Sequence, residues 1–474
     1  MLFNSYVFWA FFVIVFALYR ALPHRGQNWL LLVASYVFYG WWDWRFLFVL
    51  AASTLLDYAS ALWIEKTAAQ RRKKLFLILS VCVNLGFLGF FKYYGFLTRE
   101  LAAALASVGI SASLPVLNVI LPVGISFYTF NSMSYVIDVY RGQARAERDL
   151  LTYSVYVCYF PHMVAGPIQR CKTLLPQIAR PRVYKGGEFA EGLYHVVIGL
   201  LKKVAIADNL APVANAVFLA DPGGLSGAEV LVGTYAFAIQ IYCDFSGYSS
   251  IAQGVSKWLA IDLTTNFRMP YFAVSPGDFW RRWHISLSTW LRDYLYISLG
   301  GNRGSKWQTY RNLMLTMFLG GLWHGANWTF VAWGTFHGLL LCLYRPFQRR
   351  EADPASQPQP WPAWKRILAI AVTFHLVCAG WLLFRAESLS QAWTLATLVV
   401  TRFHLTPYAV FSLAMIAFYA VPLLAFEAWV ERQKDMLSLV RARVWVRGFA
   451  YSYVAVMLLY FGPEVAHEFI YFQF

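Results

Sequence analysis

Apolar residues run along this chain in long blocks, and charged residues punctuate them at intervals. Phe3–Leu22, Phe46–Ile64, Leu75–Leu97, Ile367–Phe384, Ala409–Val430 and Phe449–Phe469 each approach the roughly 20 apolar residues that a membrane-spanning helix needs. The first block begins Met1-Leu2-Phe3-Asn4, with no basic flank before it and no small-residue cleavage site after it, so it reads as a retained helix rather than a signal peptide. Three further apolar segments are short or interrupted. Tyr153–Ile168 contains Pro161, Gly166 and Pro167, Ser249–Ile261 has only 13 residues, and Leu313–Leu322 ends in a Gly-Gly-Leu-Trp-His-Gly run. Irregular backbone at membrane depth survives only inside protein or beside water. These segments therefore read either as re-entrant elements lining an internal site or as ordinary short helices beneath a loop.

A different periodicity marks Trp283–Ile297. Trp283, Leu287, Trp290, Leu291, Tyr294 and Ile297 recur at helical spacing, with Arg282, Ser286, Arg292 and Asp293 between them. This predicts an amphipathic helix in the cytoplasmic interface, either a lipid anchor or one wall of a cytoplasmic mouth. No soluble domain and no internal repeat is apparent, so residues 1–474 read as one membrane-embedded domain. Its one linker-like stretch, residues 351–364, is Pro-rich and flanked by Arg349, Arg350, Lys365 and Arg366, and reads as a cytoplasmic loop.

Composition supports the membrane reading: 59% of the 474 residues are hydrophobic and 14% charged, against about 25% charged in a soluble domain. The net charge of +16 would fit nucleic acid if it were clustered on one soluble face, but it is distributed by loop. With the N-terminus outside, the loops Arg20–Asn28, Glu65–Lys74, Arg141–Leu150, Gln169–Glu188, Asp262–Arg311, Arg345–Arg366 and Glu431–Arg447 are cytoplasmic and hold 32 of the 40 Lys and Arg residues. The opposite loops hold four, Arg45, Arg99, Arg385 and Arg402. That asymmetry places both termini outside, in the periplasm of a Gram-negative host. The six cysteines lie mostly in apolar segments without CxxC spacing, so neither a metal site nor a disulfide framework is expected.

Nine histidines are the first candidates for chemistry, because ionisable groups inside a membrane are costly. His324 lies in Gly320-Gly321-Leu322-Trp323-His324-Gly325-Ala326-Asn327-Trp328, where small residues permit close approach and apolar surroundings favour the neutral ring that a general base requires. His284 follows Asp278-Phe279-Trp280-Arg281-Arg282-Trp283, whose basic residues also disfavour a second positive charge. Either ring is alternatively a structural hydrogen-bonding group. His337 reads as a helix-packing residue, and His162 stays open between the two roles. Asp244, an acid in an apolar run, is placed to orient a histidine, to pair with an arginine, or to form a structural ion pair. GxSxG, P-loop and HExxH motifs are absent from the sequence.

At these residues the chain resembles the membrane-bound O-acyltransferase superfamily, in its bacterial alginate O-acetyltransferase branch. The matching runs are Leu121–Phe130, Tyr135–Tyr140, Tyr159–Arg170, Gln240–Tyr248, Asp278–Asp293, Gly320–Trp328 and Phe469–Phe474, spread over the whole chain. The resemblance implies an all-α polytopic membrane protein, with about 11 spanning helices plus re-entrant and interfacial helices around a central tunnel. It implies that His324 is the catalytic histidine and His284 the second functional position. An acetyl group would pass from a cytoplasmic thioester, acetyl-CoA, across the inner membrane toward an exported polysaccharide, alginate first, with peptidoglycan or cellulose as alternatives. No bound cofactor is expected. Asn327 would donate a hydrogen bond to the reacting oxygen if the helix continues past His324, with Trp323 and Asp244 in support. Arg281, Arg282 and Arg303 would attract the donor's phosphates. Because no segment is large enough to hold a polysaccharide outside the membrane, a periplasmic acetyltransferase partner is implied. A transporter without chemistry shares the broken helices and central polar site, but it is disfavoured by the lack of internal repeats and by the clustering of histidines between residues 284 and 337.

Overall fold

The computed structural model describes residues 1–110, 117, 119–164, 166–347, 361–462 and 469–470. Among the described residues every regular element is helical. They divide into two compact units, Met1–Gly199 with Tyr248–Thr264, and Leu200–Gly247 with Thr265–Phe474. Four helices are long and apolar enough to cross a bilayer: Phe46–Lys66, Gln70–Ser107, Ala363–Arg385 and Pro407–Gln433. Tyr6–Ala21, Leu389–Thr401 and Val444–Tyr460 are apolar but shorter. Length and apolarity thus mark four candidate spans in an all-helical structure; the remainder of the expected eleven rests on the resemblance.

The first unit distributes polarity as a bilayer requires. Tyr6–Ala21 starts where the Ser5 hydroxyl accepts from the Phe8 amide at 3.2 Å, a standard N-cap. It buries Phe8, Phe12, Val15 and Tyr19 along one stripe and leaves Val13, Ile14 and Leu18 exposed on the other side. An apolar outer face suits lipid, whereas polar groups must find partners inside. They do so around Asp57, whose carboxylate accepts from Ser80 Oγ at 2.6 Å and from Asn84 Nδ2 at 2.9 and 3.0 Å. Ser53 Oγ closes the cluster on Asn84 Oδ1 at 2.7 Å. In this unit the irregular backbone expected near Pro161 is present. One helix stops at Cys158, a short turn covers Phe160–Met163, and all of these residues are buried in protein.

Two other segments read as interrupted are continuous. Ser249–Trp258 completes a 32-residue helix that begins at Gly227, and Leu313–Leu322 lies inside the helix Lys306–His324. Hydrophobic runs look short there because buried polar residues, among them Ser246, Ser249, Asn312 and Thr316, interrupt them; the backbone does not break. The amphipathic stretch also differs from expectation. It begins at Ile285, two residues later, and after Trp290 continues as a π-helical turn over Leu291–Tyr296. Trp283 and Leu287 are buried in protein rather than laid on an interface.

The second unit contains the hairpin that presents the glycine-rich run. Ser305 and Gln308 form a capping box at the start of Lys306–His324. The chain turns through Gly325-Ala326-Asn327 into the helix Trp328–Tyr344. The two helices cross at a glycine pair. A Cβ on Gly321 would lie 2.3 Å from the Phe330 carbonyl oxygen, and one on Gly334 would lie 2.3 Å from that of Met317. Only hydrogen fits at this crossing, the small-residue packing typical of helices in membranes.

Candidate functional site

The hairpin places His324 in the last turn of its first helix, buried against the rings of Trp323 (4.9 Å between centroids), Trp333 (4.9 Å) and Phe384 (5.5 Å). Trp323 is shared: its ring also lies 6.2 Å from that of His284. Trp333 extends the row to His337, 5.0 Å away. The three histidines therefore stand in one aromatic row, His284–Trp323–His324–Trp333–His337, although 53 residues separate the outer two in the chain.

His284 is held more tightly than its sequence context foretells. Its backbone is left-handed (φ 41°), a conformation that costs a non-glycine residue on the order of 1–3 kcal/mol and clusters at functional sites. Asn266 stabilises it. The Asn266 carbonyl oxygen accepts from the Ile285 amide at 2.9 Å, and its side-chain Oδ1 accepts from the Ser286 amide at 3.2 Å and the Ser286 hydroxyl at 2.9 Å. The same oxygen lies 3.2 Å from His284 Nδ1. An acceptor at that distance calls for a proton on Nδ1, which puts the imidazole lone pair on Nε2. Phe245 and Phe267 flank the ring at 4.7 and 6.4 Å. Burial among them pushes the pKa of His284, which lies outside the four candidate spans, down to about 3. Desolvation keeps the ring neutral, and the neighbouring arginines are not needed to explain it.

The other expected site residues fare differently. Asn327 does not share a helical face with His324, because the first helix ends at His324 and Asn327 caps the second: its side chain accepts from the Thr329 amide at 3.1 Å and donates to the Glu387 carbonyl at 3.0 Å. Asp244 takes up the third of its expected roles, a buried ion pair. It forms an ion pair with Lys203 at 2.5 Å and accepts from the Ile470 amide at 2.7 Å. Lys203 also meets Asp208 at 2.8 Å, while Lys202 meets Glu427 at 2.8 Å. Arg282 is occupied by Asp278 and Glu431, at 3.1 and 3.0 Å, which leaves less of its charge for a phosphate. Arg281 is exposed beside Asp278 at 3.6 Å, and Arg303 is exposed.

His337 is wholly buried, with Phe279 stacked on it at 6.0 Å and its Nε2 within 2.8 Å of where a Cβ on Gly380 would lie, which supports a packing role. His162 belongs to the first unit, where its two ring nitrogens meet Asn131 Nδ2 at 3.4 Å and the Tyr156 carbonyl at 3.2 Å. Both are used locally, as a structural histidine's would be. His467 and residues 471–474 of the C-terminal run lie outside the described residues. No group of three or more metal-ligating side chains occurs among the described residues. Sequence reasoning missed Asn266, since no spacing links it to a histidine 18 residues on. The partners of Lys202 and Lys203 were likewise beyond any local pattern.

Comparison with known proteins bears on this arrangement. The family model of the membrane-bound O-acyltransferases matches residues 141–380. The chain is 46% identical over 400 residues to the "Probable alginate O-acetylase" of Azotobacter vinelandii, covering 83% of this chain and 77% of that protein. The protein of the same name from Pseudomonas aeruginosa is likewise 46% identical, over 83% of this chain and 74% of its own. The peptidoglycan O-acetyltransferase of Helicobacter pylori is 35% identical over 426 residues, 83% of this chain and 78% of that one.

Proposed function

The chain belongs to the membrane-bound O-acyltransferase family, and on that premise we propose that this O-acyltransferase moves acetyl groups from cytoplasmic acetyl-CoA to the O-acetylation of an exported polysaccharide, alginate being the favoured polymer. The observation that carries this reading is the pair of buried histidines sharing Trp323, both within the residues that the family model matches. Residues 1–474 act as one catalytic domain, both termini lie in the periplasm, and a periplasmic partner or the polymer itself supplies the hydroxyl. The polymer is chosen from the names of the relatives at 46% identity.

Acyl transfer to a hydroxyl needs a base that is neutral before the reaction and cationic during it. The acceptor O–H proton passes to the His324 imidazole while the oxygen bonds to the acetyl carbon. The carbon–sulfur bond of the thioester then breaks, and the leaving sulfur takes the proton back. His284, with Nδ1–H anchored on Asn266, keeps its lone pair on Nε2 and orients the second reacting group by hydrogen bonding. The aromatic row excludes water, which strengthens each polar contact and limits loss of acetyl to hydrolysis. Asn327, engaged with Thr329 and Glu387, is not used in this scheme. Arg281 and Arg303 remain the exposed cations available to the donor's phosphates.

The test is the acetyl content of exported polymer, normalised to protein in the membrane fraction. His324→Ala is expected to lower it by 10²–10⁴-fold, the usual worth of a general base. His284→Ala is expected to lose less. His337→Gln, which keeps volume at a packing position, is expected to retain most activity. Near-normal acetylation by a correctly inserted His324→Ala protein would refute the assignment.

A further inference from the structure

Outside the histidine row, the second unit carries a groove of about 620 Å³ along the first half of the span Ala363–Arg385, bounded by the end of the helix Trp328–Tyr344 and floored by Val274, Ser275 and Pro276. Its walls are hydrocarbon, chiefly Leu340, Leu343, Ala369, Val372 and Leu376. Leu343 and Val372 are more than half exposed, so the groove opens sideways on the apolar face of a membrane helix. It contains no histidine, and the pantetheine arm of acetyl-CoA carries two amides that walls of hydrocarbon would leave without hydrogen-bond partners.

Length and charge identify the occupant. From Lys365 to Leu376 the groove follows about 16 Å of helix at 1.5 Å per residue, close to half of the roughly 30 Å hydrocarbon core. It is therefore one leaflet deep. Its outer end is polar and cationic. Lys365 lines it, with Nζ 5.4 Å from the Trp364 ring centroid, and Arg345 adjoins the lining Tyr344 and meets Asn302 Oδ1 at 3.4 Å. Two acids lie near it and both are engaged: Glu431 is shared between Arg366 and Arg282, and Asp278 holds Arg282 at 3.1 Å while accepting from the lining Val274 amide at 3.2 Å. Among the described residues neither Lys365 nor Arg345 has a carboxylate partner. Trp361 and Trp364 stand at the same end, as tryptophans do at the headgroup level.

We propose that this groove is a docking site for one bilayer phospholipid, with an acyl chain lying along Ala369–Leu376 and an anionic headgroup over Lys365 and Arg345. A basic side chain near the membrane surface is worth about 1 kcal/mol toward an anionic lipid, so preference for phosphatidylglycerol over phosphatidylethanolamine should be about fivefold per cation. The full-length protein, purified in detergent and exchanged against each lipid in turn, is read by native mass spectrometry for lipid retained under rising collision energy. The expected result is one phosphatidylglycerol retained in preference to phosphatidylethanolamine. Lys365→Glu should abolish the preference while still retaining either lipid, and Ala369→Trp, which fills the groove, should lose both. Equal retention of the two lipids by the unaltered protein would overturn the proposal, as would phosphatidylglycerol held undiminished by Ala369→Trp. So would a chain lacking residues 348–360 that binds lipid where the intact protein does not, since that would make the loop the native occupant. Lys365→Glu, a substitution at an exposed helix start, keeps the test decisive even if Ala369→Trp fails to fold.

Discussion

Replacing Asn266 by Ala keeps the main-chain carbonyl that accepts from Ile285 but removes the side-chain oxygen that holds the His284 ring and the Ser286 amide. That Oδ1 serves three donors: the imidazole Nδ1–H, the Ser286 amide and the Ser286 hydroxyl. The hydroxyl can rotate to another acceptor, but the other two donors are fixed and buried. Each costs about 1–3 kcal/mol when left unsatisfied, enough to lower the melting temperature measurably. The effect on catalysis is bounded. Asn266 acts through His284, so Asn266→Ala cannot cost more turnover than His284→Ala, and the double variant should match His284→Ala alone. Asn266→Asp makes a sharper test because it keeps the shape and adds charge. In the natural protein burial holds the His284 pKa down to about 3, so the ring is neutral at all working pH values and becomes cationic only below that. A carboxylate beside Nδ1–H stabilises the cation and raises the pKa. Acetyl transfer that requires the neutral ring should then fall off on the acid side at a higher pH in Asn266→Asp than in the natural protein, with the alkaline side unchanged. The assay is initial rate against pH in detergent-solubilised enzyme with acetyl-CoA and a hydroxyl acceptor. Superimposable acid limbs, or a double variant markedly worse than His284→Ala, would refute the coupling.

Gly334→Ala should cost about 1–3 kcal/mol through overpacking, because its methyl would meet the Met317 carbonyl oxygen at 2.3 Å; thermal unfolding in detergent measures it, and activity should fall as His324 is displaced. Asp244→Asn should destabilise through the weakened partnership with Lys203, and Lys203→Met, which leaves Asp208 and Asp244 both buried without their cation, should cost more, about 3–5 kcal/mol; equal melting temperatures for the two variants would contradict this order. Topology is testable by single cysteines at Gly224 and Lys185 in a background lacking Cys82 and Cys342, with an impermeant thiol reagent added outside. Gly224→Cys, next to the Gly223 carbonyl that accepts from the opposite-loop residue Arg402 at 2.8 Å, should react, and Lys185→Cys should not.

By itself the sequence determined that this is a helical membrane protein, because long apolar runs cannot be dissolved any other way and the count of charges per loop is a property of composition. It also singled out His284 and His324, since a histidine in an apolar, glycine-rich or aromatic run stands out without knowledge of the fold. Tertiary structure alone decided what these residues touch. Trp323 and Trp333 string three histidines into one row because two helices cross at Gly321 and Gly334, a crossing no local pattern specifies. Asn327 looked like a helical neighbour of His324 and proved to be the cap of the next helix, because Gly325 leaves the helix in an extended conformation. Asp244 and Arg282 were legible as charges, but their partners Lys203 and Glu431 lie 41 and 149 residues away. Asn266 carried no signal at all: an asparagine in a loop is ordinary, and only folding brings its one oxygen against a strained histidine. Patterning reports where each residue prefers to be, and contact between distant residues is set by which helices the chain packs together.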